Sequence, residues 1–91
     1  MYKVGDLVKV RSYTDLLNEF GTDRVPNSDG SELYFNPRMK IYSGKIFKIE
    51  TIEYRGNDNI QEFSLSDNGK ILGSSFNYWL FNTNMVYPAE I

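Results

Sequence analysis

The sequence predicts a small, mainly β domain: a barrel of about five short strands with one or two short helices. Two observations lead to this prediction. Both ends of the chain carry strand-like segments, at residues 7–11 and 85–89, and turn-forming residues separate short apolar segments between them. Because unpaired sheet edges favour aggregation, small sheets of this kind close into barrels. Residues 1–91 are expected to form a single domain.

Residues 7–11 alternate between apolar and charged side chains, which is typical of a half-buried strand. Val8 and Val10 are expected to face the core. Lys9 and Arg11 are expected to lie together on the opposite, solvent-exposed face. This first strand is therefore predicted to be scaffold with a positively charged outer surface.

Two helical segments are predicted from their end signals. Residues 12–21 form the first, since Ser12 can cap its start and Gly21 suits the left-handed conformation that ends a helix. The second begins at Asn36, another capping residue, and Pro37 suits the first helical position because its missing N–H group would be unpaired there.

Residues 22–33 are rich in turn formers and poor in large apolar side chains, so a solvated loop is predicted there. The part from Asn27 to Glu32 is similar to part of a calcium-binding loop. The full motif needs acidic residues where this chain has Val25 and Asn36, so no calcium site is expected.

The clearest strand is predicted at residues 45–53, where apolar and charged side chains alternate. Ile46 and Ile52 depart from that alternation, which indicates burial on both faces or a bulge. Residues 60–66 predict the next strand, with Phe63 and Leu65 facing inward. Asn68-Gly69 predicts a type I′ turn into a return strand.

The aromatic residues of the closing segment are expected on an extended strand at residues 76–81. Alternation places Trp79 and Phe81 on one face and Phe76 and Tyr78 on the other. One face must belong to the core. The other, if it is exposed, would form a protein-binding patch.

Short motifs along nearly the whole chain, except residues 22–33, form an ordered set. They are Val4-Gly5-Asp6-x-Val8-x-Val10-Arg11-Ser12, Asp15, Glu19-Phe20-Gly21, Met39, Tyr42-x-Gly44-Lys45, Ile49, Trp79-x-Phe81, Met85 and Pro88. This set resembles the small SH3-like barrel proteins encoded by phages, prophages and their bacterial hosts. The resemblance implies an SH3-like barrel and a mobile-element context. The family has no established activity, so the resemblance implies no functional residues.

The composition excludes several kinds of catalytic and metal chemistry. The chain has no histidine and no cysteine, which removes Ser–His and Cys–His nucleophile pairs and Cys/His zinc sites. Carboxylates alone can support acid–base chemistry, but no paired acids stand in an apolar setting. We therefore expect a non-enzymatic protein that uses no metal and no cofactor.

Aromatic side chains are the first candidates for a binding site, because Tyr and Trp are favoured at the energetic centres of protein interfaces. The candidate protein-binding residues are Phe76, Tyr78, Tyr34 and Tyr42.

Basic residues supply an alternative site. No acidic residue lies between Glu32 and Glu50, whereas four basic residues do: Arg38, Lys40, Lys45 and Lys48. Next to exposed aromatic rings they would suit single-stranded nucleic acid. The formal net charge of −2 is unlike that of dedicated nucleic-acid-binding domains, so this stays the alternative. The acidic residues of segment 50–67 are expected to pair across strands with Lys45 and Lys48; the alternative is that they mimic nucleic-acid phosphates or dock on a basic protein.

These observations predict a protein-binding module in the cytoplasm of a bacterial host. One concrete version is a phage- or prophage-encoded inhibitor or modulator of a host factor, such as a defence nuclease. The alternatives are a nucleic-acid-binding barrel and a structural or assembly component of a virion. No membrane association is expected, since no apolar run approaches the ~20 residues that span a bilayer.

Overall fold

The computed structural model describes residues 2–56, 60–73 and 77–89. These residues form one α-helix, two short 3-10 helices and eight short strands. The strands are β1 (Leu7–Val10), β2 (Arg24–Pro26), β3 (Glu32–Tyr34), β4 (Ile46–Arg55), β5 (Ile60–Asp67), β6 (Lys70–Ile71), β7 (Phe81–Asn82) and β8 (Val86–Pro88). The helices are α1 (Tyr13–Phe20), η1 (Pro37–Tyr42) and η2 (Thr83–Met85).

The main sheet is antiparallel and follows the order β6-β5-β4-β1-β8. Its mainly β content and its path of five strands confirm the predicted fold class. The strands near the two ends of the chain lie side by side, since Val10 on β1 pairs with Val86 on β8. β7 pairs with the edge of β5 that faces away from β4, and η2 joins β7 directly to β8. The segment from Phe81 to Pro88 therefore links the two edges of the sheet.

The core forms on the face of the sheet that the alternation of β1 indicates. Val8 and Val10 are buried as predicted, and so are Phe63 and Leu65 on β5. Leu16 on α1 is completely buried in the same cluster, so this helix packs its apolar face on the sheet.

Helix starts and ends agree with the local signals. The Ser12 hydroxyl accepts a hydrogen bond from the backbone N–H of Asp15 at 3.0 Å, and α1 ends at Gly21, which has φ +73°. The Asn36 side chain accepts from the N–H of Arg38 at 2.9 Å and caps η1. Both predicted helices are confirmed.

The predicted bulge and turn in the second half of the sheet are also present. The register between β4 and β5 shifts between Ile49 and Thr51, which places the bulge in the middle of β4. Asn68 and Gly69 have φ +50° and +83°, as a type I′ turn requires. Asn and Gly adopt positive φ angles more readily than other residues, which explains their presence at this turn.

The prediction of a solvated loop at residues 22–33 is wrong, because this segment contains most of a β-hairpin. β2 and β3 are antiparallel, and Val25 is completely buried. Two asparagine side chains from the far end of the chain hold β2 in place. Asn82 Nδ2 donates to the carbonyl of Val25 at 3.0 Å, and Asn84 Nδ2 donates to that of Pro26 at 2.8 Å. Such long-range bonds give a polar segment an ordered position that its own composition does not indicate.

Arg11 is not solvent-exposed as expected; its side chain is only 5% exposed, because acidic residues of α1 and the ring of Tyr87 cover it. β1 ends at Val10, so the strand alternation does not extend to Arg11. Its guanidinium donates to Asp15 Oδ2 at 2.8 Å, to Glu19 Oε1 at 2.6 Å and to the carbonyl of Asn84 at 3.1 Å. Hydrogen bonding to Asp15 raises the pKa of Arg11, and the same bond lowers the pKa of Asp15.

The predicted strand at residues 76–81 is present only at its last residue, since β7 begins at Phe81 and residues 78–80 belong to no strand. Phe76 lies outside the described residues. The chain passes very close to Gly73, where an added Cβ would lie 2.8 Å from the carbonyl oxygen of Asn77. Tyr78 and Trp79 are both half-buried, so they do not alternate between a core face and an exposed face. The expected division of aromatic side chains into two faces therefore fails here.

Candidate functional site

The outer surface of β1 and β4 presents a small mixed group of apolar and basic side chains. Leu7 lies directly opposite Lys48, and Lys9 opposite Ile46. Tyr87 on β8 lies opposite Lys9 on its other side. Because Val8 and Phe47 between them point into the core, these five side chains share the outer face. We call Leu7, Lys9, Ile46, Lys48 and Tyr87 the Leu7 face.

The apolar members of the Leu7 face are unusually exposed for side chains in the middle of a sheet. Ile46 is 50% exposed, Tyr87 47% and Leu7 36%. Ile46 and Tyr87 each lie directly opposite Lys9, and Leu7 lies directly opposite Lys48, so the apolar and basic side chains alternate on one surface. Single exposed apolar residues need no explanation, whereas adjacent ones are typical of interaction sites.

Two grooves meet at Leu7. The first, of about 260 Å³, has Ile46 and Lys48 along β4 and is bounded by Ser66 and the turn at residues 67–69. The second, of about 440 Å³, lies on the other side of Leu7, between Tyr2 and Pro88. Leu7 therefore lines both grooves, and a partner that fills either groove would contact it.

The lysines of the Leu7 face carry uncompensated charge. The ion pairs among the described residues involve Arg11 and Arg55, and none involves Lys9, Lys45 or Lys48. The expectation that acidic residues of segment 50–67 pair with Lys45 and Lys48 is wrong. Lys48 lies opposite Ser66.

Among the described acidic residues of segment 50–67, Glu62 forms an ion pair, and its carboxylate is almost completely buried. It pairs with Arg55 at 3.2 Å, within the same hairpin of β4 and β5. Asn27 from the hairpin of β2 and β3 also donates to it at 3.4 Å. Burial requires such partners for a charged group, so we assign Glu62 to the fold. Asp58 lies outside the described residues.

The predicted aromatic residues do not form one patch in the described part of the chain. Tyr34 on β3 is exposed, and the guanidinium of Arg24 lies 5.8 Å from its ring centre. Tyr42 is half-buried and packs edge-on against Phe47, with ring centres 5.7 Å apart. Tyr78 is half-buried in the connection before β7. No ring contact among the described residues joins these three tyrosines.

The predicted basic residues divide into two groups. Arg38 and Lys40 are exposed on η1, and the Lys40 ammonium lies 4.3 Å from the ring centre of Tyr13. Lys45 and Lys48 are exposed at the beginning of β4. Of the four, only Lys48 belongs to the Leu7 face, since Lys45 lies beside the inward-facing Val10.

Sequence reasoning missed Leu7, Ile46 and Tyr87. A signal for Leu7 was present, because alternation places it on the same side as Lys9, outside the core. Single apolar residues at outward positions are common on protein surfaces, so such a signal does not by itself indicate a binding patch.

No metal site accompanies the Leu7 face. Among residues 2–56, 60–73 and 77–89, no group of three or more acidic side chains is placed to hold a metal ion. Within the same ranges, none of the helices combines the length and the apolar character that crossing a bilayer demands.

A scan against protein-family models, a search of curated proteins and a search of solved structures found no match to this chain. The resemblance to SH3-like phage barrels therefore stays a prediction from the sequence, and the site has to be interpreted from its own chemistry.

Proposed function

We propose that this chain is a non-enzymatic protein-binding module whose partner docks on the Leu7 face. The observation that carries the proposal is the exposure of Leu7, Ile46 and Tyr87 side by side. The opposite face of the same strands is filled by the core, so Leu7 and Ile46 lie outside it. Tyr87 also lies outside the core, and its hydroxyl donates to Asp15.

The energetics of such a face favour docking. Full removal of a leucine or isoleucine side chain from water is worth about 1.5–3 kcal/mol. Leu7 and Ile46 are partly exposed, so a partner that covers them gains a fraction of that value from each. Apolar centres with a polar rim are typical of protein interfaces, and Lys9 and Lys48 supply polar groups beside the apolar ones.

Site-specific photo-crosslinking tests the proposal. A photoreactive residue replaces Ile46 in one preparation and Tyr54 in another, and each is irradiated in bacterial lysate. Tyr54 is the matched control because it lies at the far end of β4 and is 58% exposed. We expect a discrete crosslinked protein from position 46, less of it when Leu7→Asp is added, and none from position 54. The same products from both positions, or none from position 46, would contradict the proposal.

The resemblance to phage and prophage barrels supports a narrower version. In that version the partner is a host factor, such as a defence nuclease, and the chain modulates it in the bacterial cytoplasm. A virion component is the competing version and predicts that the crosslinked partner is a structural protein. Mass spectrometry of the crosslinked partner separates the two.

A further inference from the structure

Lys9 and Lys48 stand on opposite corners of the Leu7 face. Each lies directly opposite one apolar residue, since Leu7 pairs with Lys48 and Ile46 with Lys9. Diagonal neighbours in an antiparallel pair are about 7–8 Å apart. The two lysine positions therefore lie on a diagonal that passes between Leu7 and Ile46.

Neither lysine forms an ion pair within the part of the chain that the structure describes, although Asp67 lines the same groove as Lys48. This groove ends at the turn of residues 67–69. A partner with negative charge on this diagonal would neutralise both groups while it covers the apolar side chains.

We infer that the partner seats an acidic stretch of its chain on the Leu7 face, with carboxylates on Lys9 and Lys48. The inference rests on the proposed function and names the chemistry of the partner. In an extended segment, alternate side chains on one face are about 7 Å apart. Two carboxylates at alternate positions therefore match the diagonal, and the methylene groups of the same acidic side chains lie over Leu7 and Ile46.

The surroundings favour a protein over a nucleic acid as the occupant. Asp67 lines the same groove, and Glu50, which accepts from the Ser66 hydroxyl at 3.1 Å, lies two positions beyond Lys48. A nucleic acid carries a charge on every phosphate and would meet these carboxylates as well. A protein segment can place acidic residues on the lysines and neutral residues elsewhere. Moreover, the side chains between the lysines are aliphatic, whereas single-stranded nucleic acid requires aromatic rings for stacking.

Charge reversal tests the inference with a matched control. The variant Lys9→Glu/Lys48→Glu reverses two charges on the Leu7 face. The control variant Arg38→Glu/Lys40→Glu changes the net charge by the same amount, but on η1. The probe is a fluorescent peptide, Thr-Val-Glu-Val-Glu-Val-Thr, and its binding is followed by anisotropy at low and physiological salt. Reference probes are the same peptide with lysine in place of glutamate and a short oligothymidine. The melting temperature of each variant shows whether it is folded.

We expect the acidic peptide to bind the wild-type protein more weakly as salt rises, and the Leu7-face variant to lose about tenfold in affinity. The control variant should change the affinity by less than about twofold, because its charges lie outside the contact. The lysine peptide should not bind. Equal losses in the two variants, or no binding of the acidic peptide, would overturn the inference. Preferential binding of oligothymidine that depends on Lys9 and Lys48 would replace it with a nucleic-acid site.

The two proposals fail separately. If position 46 crosslinks a protein and Lys9→Glu/Lys48→Glu leaves that yield unchanged, the docking face stands and the acidic partner is wrong. If position 46 yields no crosslink while the acidic peptide still binds through the lysines, the docking proposal is wrong.

Discussion

Lys9 and Arg11 lie two residues apart in the sequence, yet their surroundings are opposite. Arg11 is buried and bonded to both Asp15 and Glu19. Lys9 is exposed and forms no ion pair in the part of the chain that the structure describes. The comparison separates a charge that stabilises the fold from a charge that is left for a partner.

The difference arises where β1 ends and the chain turns into α1. Beyond Val10, the Arg11 guanidinium lies 4.9 Å from the ring centre of Tyr87 and 5.6 Å from that of Phe20. Tyr87 also donates to Asp15 at 3.0 Å, so the ring and the carboxylate hold the guanidinium from two sides. Lys9 remains inside the strand, where pleating directs it outward.

The largest expected effect separates these two residues by stability. Arg11→Met should lower the free energy of unfolding by about 2–3 kcal/mol, because hydrogen bonds of a charged group are lost from a buried site. Lys9→Met, an equivalent change on the exposed face, should stay within about 0.5 kcal/mol. Urea unfolding followed by tryptophan fluorescence measures both. Equal losses of unfolding free energy in the two variants would contradict the distinction between a buried Arg11 and an exposed Lys9.

A smaller effect should appear in acid. The hydrogen bonds from Arg11 and Tyr87 lower the pKa of Asp15 below its ordinary value. A carboxyl group whose pKa is lower in the folded state stabilises the fold above its unfolded pKa, about 4, and loses that contribution as the pH falls through the folded pKa. The wild-type melting temperature should therefore fall more steeply below about pH 4 than that of Asp15→Asn.

Part of the decrease in melting temperature at low pH should persist in Asp15→Asn, since hydrogen bonds from Ser31 also lower the pKa of Asp29. Asp29→Asn is thus the second reference, and it should leave the contribution of Asp15 intact. Superimposable pH profiles of the wild-type protein and Asp15→Asn would mean that the network around Arg11 adds no pH-dependent stability.

The elements that the sequence predicts correctly are those whose signals come from residues close to them in the chain. Alternation places Val8 and Val10 in the core, and capping residues such as Ser12 mark helix ends, because these signals act within a few residues. The hairpin of β2 and β3 depends instead on Asn82 and Asn84, which are far away in the sequence. No local pattern reports such bonds, so the segment was expected to be a loop.

The same limit applies to the Leu7 face. Outward positions on β1 follow from alternation, but their neighbours follow from register. Lys9 meets Ile46 and Tyr87 only because β1 lies between β4 and β8. The sequence shows each apolar residue separately, and only the fold places them on one face of neighbouring strands.

The smallest expected effect on stability belongs to the Leu7 face itself. Leu7→Thr/Ile46→Thr should change the free energy of unfolding by no more than about 0.5 kcal/mol per site, because the residues are exposed and threonine retains strand propensity. The same variant should lose most of the crosslinked partner captured by a photoreactive residue at position 89, which lines the groove beside Leu7. Urea unfolding and crosslinking yield are measured on the same preparations.

Val8→Thr is the internal reference, since it lies next to Leu7 on the same strand and points into the core. Val8→Thr should lower the free energy of unfolding by about 1–3 kcal/mol, because the introduced hydroxyl would be buried without a hydrogen-bond partner. If Leu7→Thr/Ile46→Thr costs as much, the Leu7 face supports the fold rather than a partner, and the contrast between Lys9 and Arg11 loses its functional meaning. If stability is kept while capture is lost, the apolar side chains and the unpaired lysines belong to one docking surface.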